Sequence, residues 1–193
     1  MTTPTYEDKQ DPKETLAFIR RTMESASTFS AVSGWGLVAV GTVGLVAAWL
    51  AAAGGATADL RVWIPAAGLS IAIAAAANTL KARKTNVPIW SGAFQKLVWV
   101  MTPALVAGAL LTFSLAGREQ SYLLPGTWLA LYGAGVTAGG IFSVRAIRWM
   151  GVAFLALGAV ALFRPDLGTL LLGCGFGGLH IVVGMDVVWR HGG

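Results

Sequence analysis

Few residues in this chain could do chemistry inside a hydrophobic run, and they crowd the final stretch, DLGTLLLGCGFGGLHIVVGMDVVWRHGG, from Asp166 to Gly193. It holds the single cysteine, Cys174, both histidines, of which only His180 lies inside the apolar run, and one carboxylate beyond the turn, Asp186. At about 100° per residue, Cys174 and Asp186 each lie about 120° away from His180 around a helix, so the three do not form one catalytic cluster. The same spacing puts Gly173, Gly177, His180 and Gly184 on one stripe, which directs the imidazole to a helix-packing face rather than to lipid. With the run centred near Gly178, His180 falls near mid-membrane. An ionisable side chain there is a functional candidate because leaving it unpaired in hydrocarbon is costly.

Three readings of His180 follow. In the first, a neutral imidazole hydrogen-bonds a neighbouring helix, with Tyr132 as a partner at similar depth. In the second it is a haem or other cofactor ligand, since glycine beside histidine leaves room for a flat macrocycle. The second histidine, His191, lies at the far end of the run, so only a symmetric dimer would supply two copies of His180. In the third it relays a proton or ion, with Tyr132, Asp186 and Arg145 completing an intramembrane polar site. Against that site, Asp186 also has Arg145, Arg148 and Arg190 at comparable depth as salt-bridge partners.

Motifs that would signal an enzyme are missing. Gly173-x-Gly175-x-x-Gly178 matches a dinucleotide fingerprint in letters alone, because no strand precedes it and the run is apolar throughout. Cys174 has no CxxC partner, and neither HExxH nor GxSxG occurs, which leaves no metal site of ordinary spacing and no nucleophile elbow. The sequence therefore predicts no enzyme, no metal centre and no identified cofactor.

The elements that must position these residues are membrane spans. Of 193 residues 55% are apolar and 12% charged, half the charge of a soluble domain, and the mean hydropathy is +0.67. Apolar runs predict six transmembrane helices over about 33–53, 62–80, 94–115, 122–143, 145–163 and 167–189. Pro65 and Pro125 fall in first turns and Pro103 inside the third span. Gly135 and Gly139, like Gly173 and Gly177, are small-xxx-small pairs that let helices approach, with Gly184 continuing the second pair. Trp35, Trp49, Trp63, Trp90, Trp149 and Trp189 mark span ends, while Trp99 and Trp128 lie deeper. The expected fold is an all-α integral membrane bundle of six helices over 31–193. Before it, a polar segment over 1–30 carries a short amphipathic helix that starts at Asp11-Pro12 and presents Leu16, Ile19, Met23 and Ala26.

Charge sets the orientation. Eleven of the 14 Lys and Arg residues fall on the side of the termini, and only Arg61, Arg118 and Arg164 on the other. The positive-inside rule puts both termini in the cytoplasm. The net charge of +5 therefore faces anionic lipid headgroups and predicts no nucleic-acid partner. No short apolar core near Met1 suggests a cleavable signal peptide.

The stretches TLAFIRRTMESASTFSAVSGWG (15–36) and GFGGLHIVVG (175–184) resemble a family of small, uncharacterised bacterial six-span membrane proteins. The resemblance implies a multi-pass protein of the bacterial inner membrane and carries no activity. With chemistry scarce and no soluble domain, the expected role is a non-enzymatic structural or accessory subunit. Its partners would be membrane lipids and either copies of itself or a larger membrane complex. A small-solute or ion transporter with a site near His180 is the alternative, and a haem or other cofactor binder the next.

Overall fold

The computed structural model describes residues 14–16, 32–54, 60–84 and 92–191. Among them the chain is helical and forms no strand. Residues 14–16 are helical, and the rest of the expected amphipathic N-terminal helix lies outside the described residues.

Helix α1, Gly34–Ala53, begins at an N-cap serine: the Ser33 hydroxyl accepts from the Gly36 N–H at 3.1 Å. That satisfies one of the donors a helix start leaves open. Helix α2, Leu60–Lys84, ends on Lys81, Arg83 and Lys84, whose charge complements the negative end of the helix dipole. Because α2 starts two residues earlier than expected, Pro65 lies in its second turn, where it has no N–H to offer the Arg61 carbonyl. Helix α3, Gly92–Leu115, carries Pro103 in its interior. Helices α4, Leu124–Gly139, and α5, Arg145–Phe163, follow.

The last apolar run is not one continuous α-helix. A 3-10 turn, Pro165–Leu167, leads into α6, Gly168–Leu172; a π-helical turn, Gly173–Leu179, then leads into α7, His180–His191.

Among the described residues, five helical segments are long and apolar enough to cross a membrane: Gly34–Ala53, Leu60–Lys84, Phe94–Leu115, Arg145–Phe163 and Pro165–Arg190. The expected fourth span is the exception. Its α-helical part has 16 residues, roughly 24 Å at 1.5 Å per residue, against a hydrocarbon core of about 30 Å. Tighter 3-10 turns, Glu119–Leu123 and Gly140–Phe142, extend it at both ends.

The last segment lies between α1 on one side and α4 with α5 on the other, while α2 packs on α1 and α3 on α4. Glycines spaced seven apart make the two tightest seams. In the first, Gly34 and Gly41 of α1 face Gly184 and Gly177; a methyl on Gly34 would sit 2.7 Å from the Gly184 carbonyl oxygen. In the second, Gly126 and Gly133 of α4 and Gly140 of the 3-10 turn that follows it run antiparallel to Gly158 and Gly151 of α5; a methyl on Gly158 would lie 2.6 Å from the Ala130 nitrogen. A seven-residue repeat of small side chains keeps two backbones in contact over several turns. The expected pair Gly135 and Gly139 serves a third contact, facing Ala104 and Leu97 of α3. On that same contact the Trp128 ring covers Gly108, and its indole N–H donates to Thr112 Oγ1 at 2.8 Å.

Helices α2 and α3 form the outside of the bundle. In α2 only Lys81 and Ala82 are buried among the described residues, and Trp99 of α3 is 75% exposed rather than filling the interior. At the shared end of α1 and α2 the Lys81 ammonium donates to the Val32 carbonyl at 3.1 Å, and the Ser33 N–H donates to Asn78 Oδ1 at 2.8 Å.

Candidate functional site

The site is built where the π turn meets α4 and α5. A π turn closes i→i+5 bonds, so it brings positions five apart over one another. Gly173, Gly177 and Gly184 press on α1, against Ala48, Leu45 and the Gly34 carbonyl. His180 stands at the edge of that stripe and turns to the opposite wall, as does Gly175, whose added methyl would meet Leu129 and Phe154. His180 and Gly184 share the regular helix α7, about 40° apart, so the imidazole leaves the stripe at its edge and reaches the α4 and α5 wall while Gly184 stays on α1.

His180 is 2% exposed. Its Nε2 lies 2.9 Å from the Tyr132 hydroxyl and its Nδ1 3.4 Å from the Gly175 carbonyl oxygen. A carbonyl only accepts, so in the neutral ring Nδ1 carries the proton and Tyr132 donates to Nε2. Both ring nitrogens are thereby engaged within the chain. Three aromatic rings close the box: Tyr132 and Phe154 meet edge-on at 4.8 Å between centroids, Phe154 and His180 edge-on at 5.5 Å, and Phe176 stacks on the imidazole at 14° and 6.1 Å. Such pairs add about 0.5–1.5 kcal/mol each beyond burial. Trp63 of α2 extends the cluster, its ring 6.4 Å from Phe176 and its buried indole N–H without an acceptor among the described residues.

The remaining candidates are elsewhere. Asp186 pairs with Arg190 of its own helix at 2.6 Å, four residues on, with the arginine side chain 72% exposed. Arg145 is exposed at the start of α5 and takes no part in that pair. Cys174 is exposed, on a different side of the turn from His180. The structure thus joins Tyr132 to His180 and leaves Asp186, Arg145 and Cys174 outside. No three His, Cys, Asp or Glu side chains converge among the described residues. An iron or other metal at Nε2 would take the lone pair that now accepts from Tyr132, so binding there requires Tyr132 to leave.

Phe154 and Phe176 complete the site without any motif in the residue order that marks them. Their depth matched that of His180, but nothing in the residue order fixed the rotation of α5 or revealed the π turn. The signal that existed was the run of four glycines in residues 173–178, which weakens α-helical winding.

The chain matches no protein-family profile, no curated protein and no solved structure.

Proposed function

We propose that the chain is a six-span protein of a bacterial inner membrane, with both termini cytoplasmic, acting as a non-enzymatic structural or accessory subunit. It works through helix–helix contacts with further copies of itself or with a larger membrane complex. One observation carries this reading: the His180–Tyr132 pair is closed within the chain, while almost the whole length of α2 and α3 faces outward. A buried imidazole with both nitrogens hydrogen-bonded, flanked by Phe154 and Phe176, can hold helices together and has no ring nitrogen left over for a substrate. The six spans rest on the 3-10 extensions of α4, and the orientation on the distribution of Lys and Arg. Purification in a mild detergent, with the mass measured by light scattering, tests it. The expected particle contains more than one chain. A lone chain of 20.0 kDa with no co-purifying protein contradicts the proposal.

The π turn beside His180 favours a second reading, a small-solute or ion transporter, because π turns recur at functional sites. Under it, a transported ion or solute raises the melting temperature of the wild type and not of His180→Ala. Ion-dependent stabilisation that survives His180→Ala unchanged counts against a site at His180.

A further inference from the structure

The π turn sets α6 one residue out of step with α7, since it takes up a residue that continuous α-helical winding would not. What holds this register is largely side-chain chemistry. The backbone N–H of His180 bonds the Gly177 carbonyl, while its ring reaches back to the Gly175 carbonyl and forward to the Tyr132 hydroxyl. Four of the six residues from Gly173 to Gly178 are glycine, so the backbone itself resists rewinding weakly.

We infer that the Tyr132–His180–Gly175 chain of hydrogen bonds is a latch on the π register, and that opening it lets residues 173–179 rewind toward an α-helix. The two sides of the turn differ in their freedom to move. Helix α7 is pinned: a one-residue shift would put Val183 in the seat of Gly184, where a Cβ lies 2.8 Å from the Gly34 carbonyl oxygen. Helix α6 is five residues long and enters through the exposed Arg164–Asp166 ion pair. Rewinding therefore advances α6 by about 1.5 Å and turns it by about 100°. The extra residue enters the helical path, and each residue upstream moves into the seat of the one before it. Cys174, now exposed, takes the seat of Gly173, whose added Cβ lies 2.8 Å from the Ala48 Cβ. The crowding at Ala48 keeps this register minor while the latch is closed.

The native cysteine makes the rewound register detectable. In membranes carrying Ala48→Cys, oxidation with copper–phenanthroline joins Cys174 to the introduced thiol far more readily when Cys174 occupies the Gly173 seat against position 48, and peptide mass spectrometry counts the disulfide. With Tyr132 intact the yield is low. Adding Tyr132→Phe, which keeps the ring and removes the hydroxyl, raises it roughly three- to tenfold, the population shift that one buried hydrogen bond commands. A second background pairs Cys174 with Val46→Cys, an exposed position about 200° around α1 from Ala48, where no rise is expected. An unchanged yield at Ala48→Cys in both Tyr132→Phe and His180→Asn overturns the latch. So does a high yield with Tyr132 intact, and so does an equal rise at both positions, which reports general loosening.

Discussion

One imidazole ties the last segment to α4 and α5. His180 is buried beside Tyr132, Phe154 and Phe176, and its two nitrogens have defined and different partners. Removing the Tyr132 hydroxyl leaves Nε2 without its donor while the aromatic box stays filled. Tyr132→Phe should therefore cost about 0.5–1.5 kcal/mol, since buried hydrogen bonds inside helical membrane proteins sit at the low end of the usual range. His180→Ala also empties a packed site and should cost about 2–4 kcal/mol. Thermal unfolding in detergent, followed by loss of monodisperse protein, ranks the two; equal losses would mean that the hydrogen bond rather than the packing dominates. The pairing itself was legible in the sequence, because span boundaries give depth and depth matched Tyr132 to His180. The aromatic walls were not, because rotation about a helix axis depends on packing that no local pattern encodes.

At the element scale, the seven-residue glycine spacing decides which helices touch. Paired glycines four apart are the visible feature of the sequence, and Gly135 with Gly139 does face α3. The closer seams use Gly34 and Gly41, Gly177 and Gly184, and the α4–α5 set, whose members lie two turns apart and become a pattern only once the partner helix is known. Gly184→Val should be severely destabilising, since its first carbon meets the Gly34 carbonyl oxygen and the side chain of Val38. Gly68→Ala on the outer face of α2, with nothing within 4 Å, should be neutral or stabilising by up to about 1 kcal/mol. Comparing purified yield and melting temperature for the two variants checks the assignment, and similar losses at both positions would refute it. The π turn was the least legible element: its glycines signal weak helical winding, while the i→i+5 register emerges only when α1 and α4 grip opposite sides of the same segment.

At the scale of the whole molecule, apolar run length matches five of the helices closely, while the fourth run has an α-helical part of only 16 residues between tight turns. Orientation belongs to this scale too. A reporter fused after Gly193 should be active as a cytoplasmic fluorescent protein and inactive as a periplasmic phosphatase; the reverse pattern would invert the proposed topology. Under the proposed function, the outward faces of α2 and α3 serve contacts with other chains, the interior being closed around His180. The most direct measurement is the mass of the particle taken from membranes in lipid nanodiscs, without detergent exchange. A complex of two or more polypeptides that includes this 20.0 kDa chain is expected, and a nanodisc population holding single chains with no other protein would rule out a subunit role.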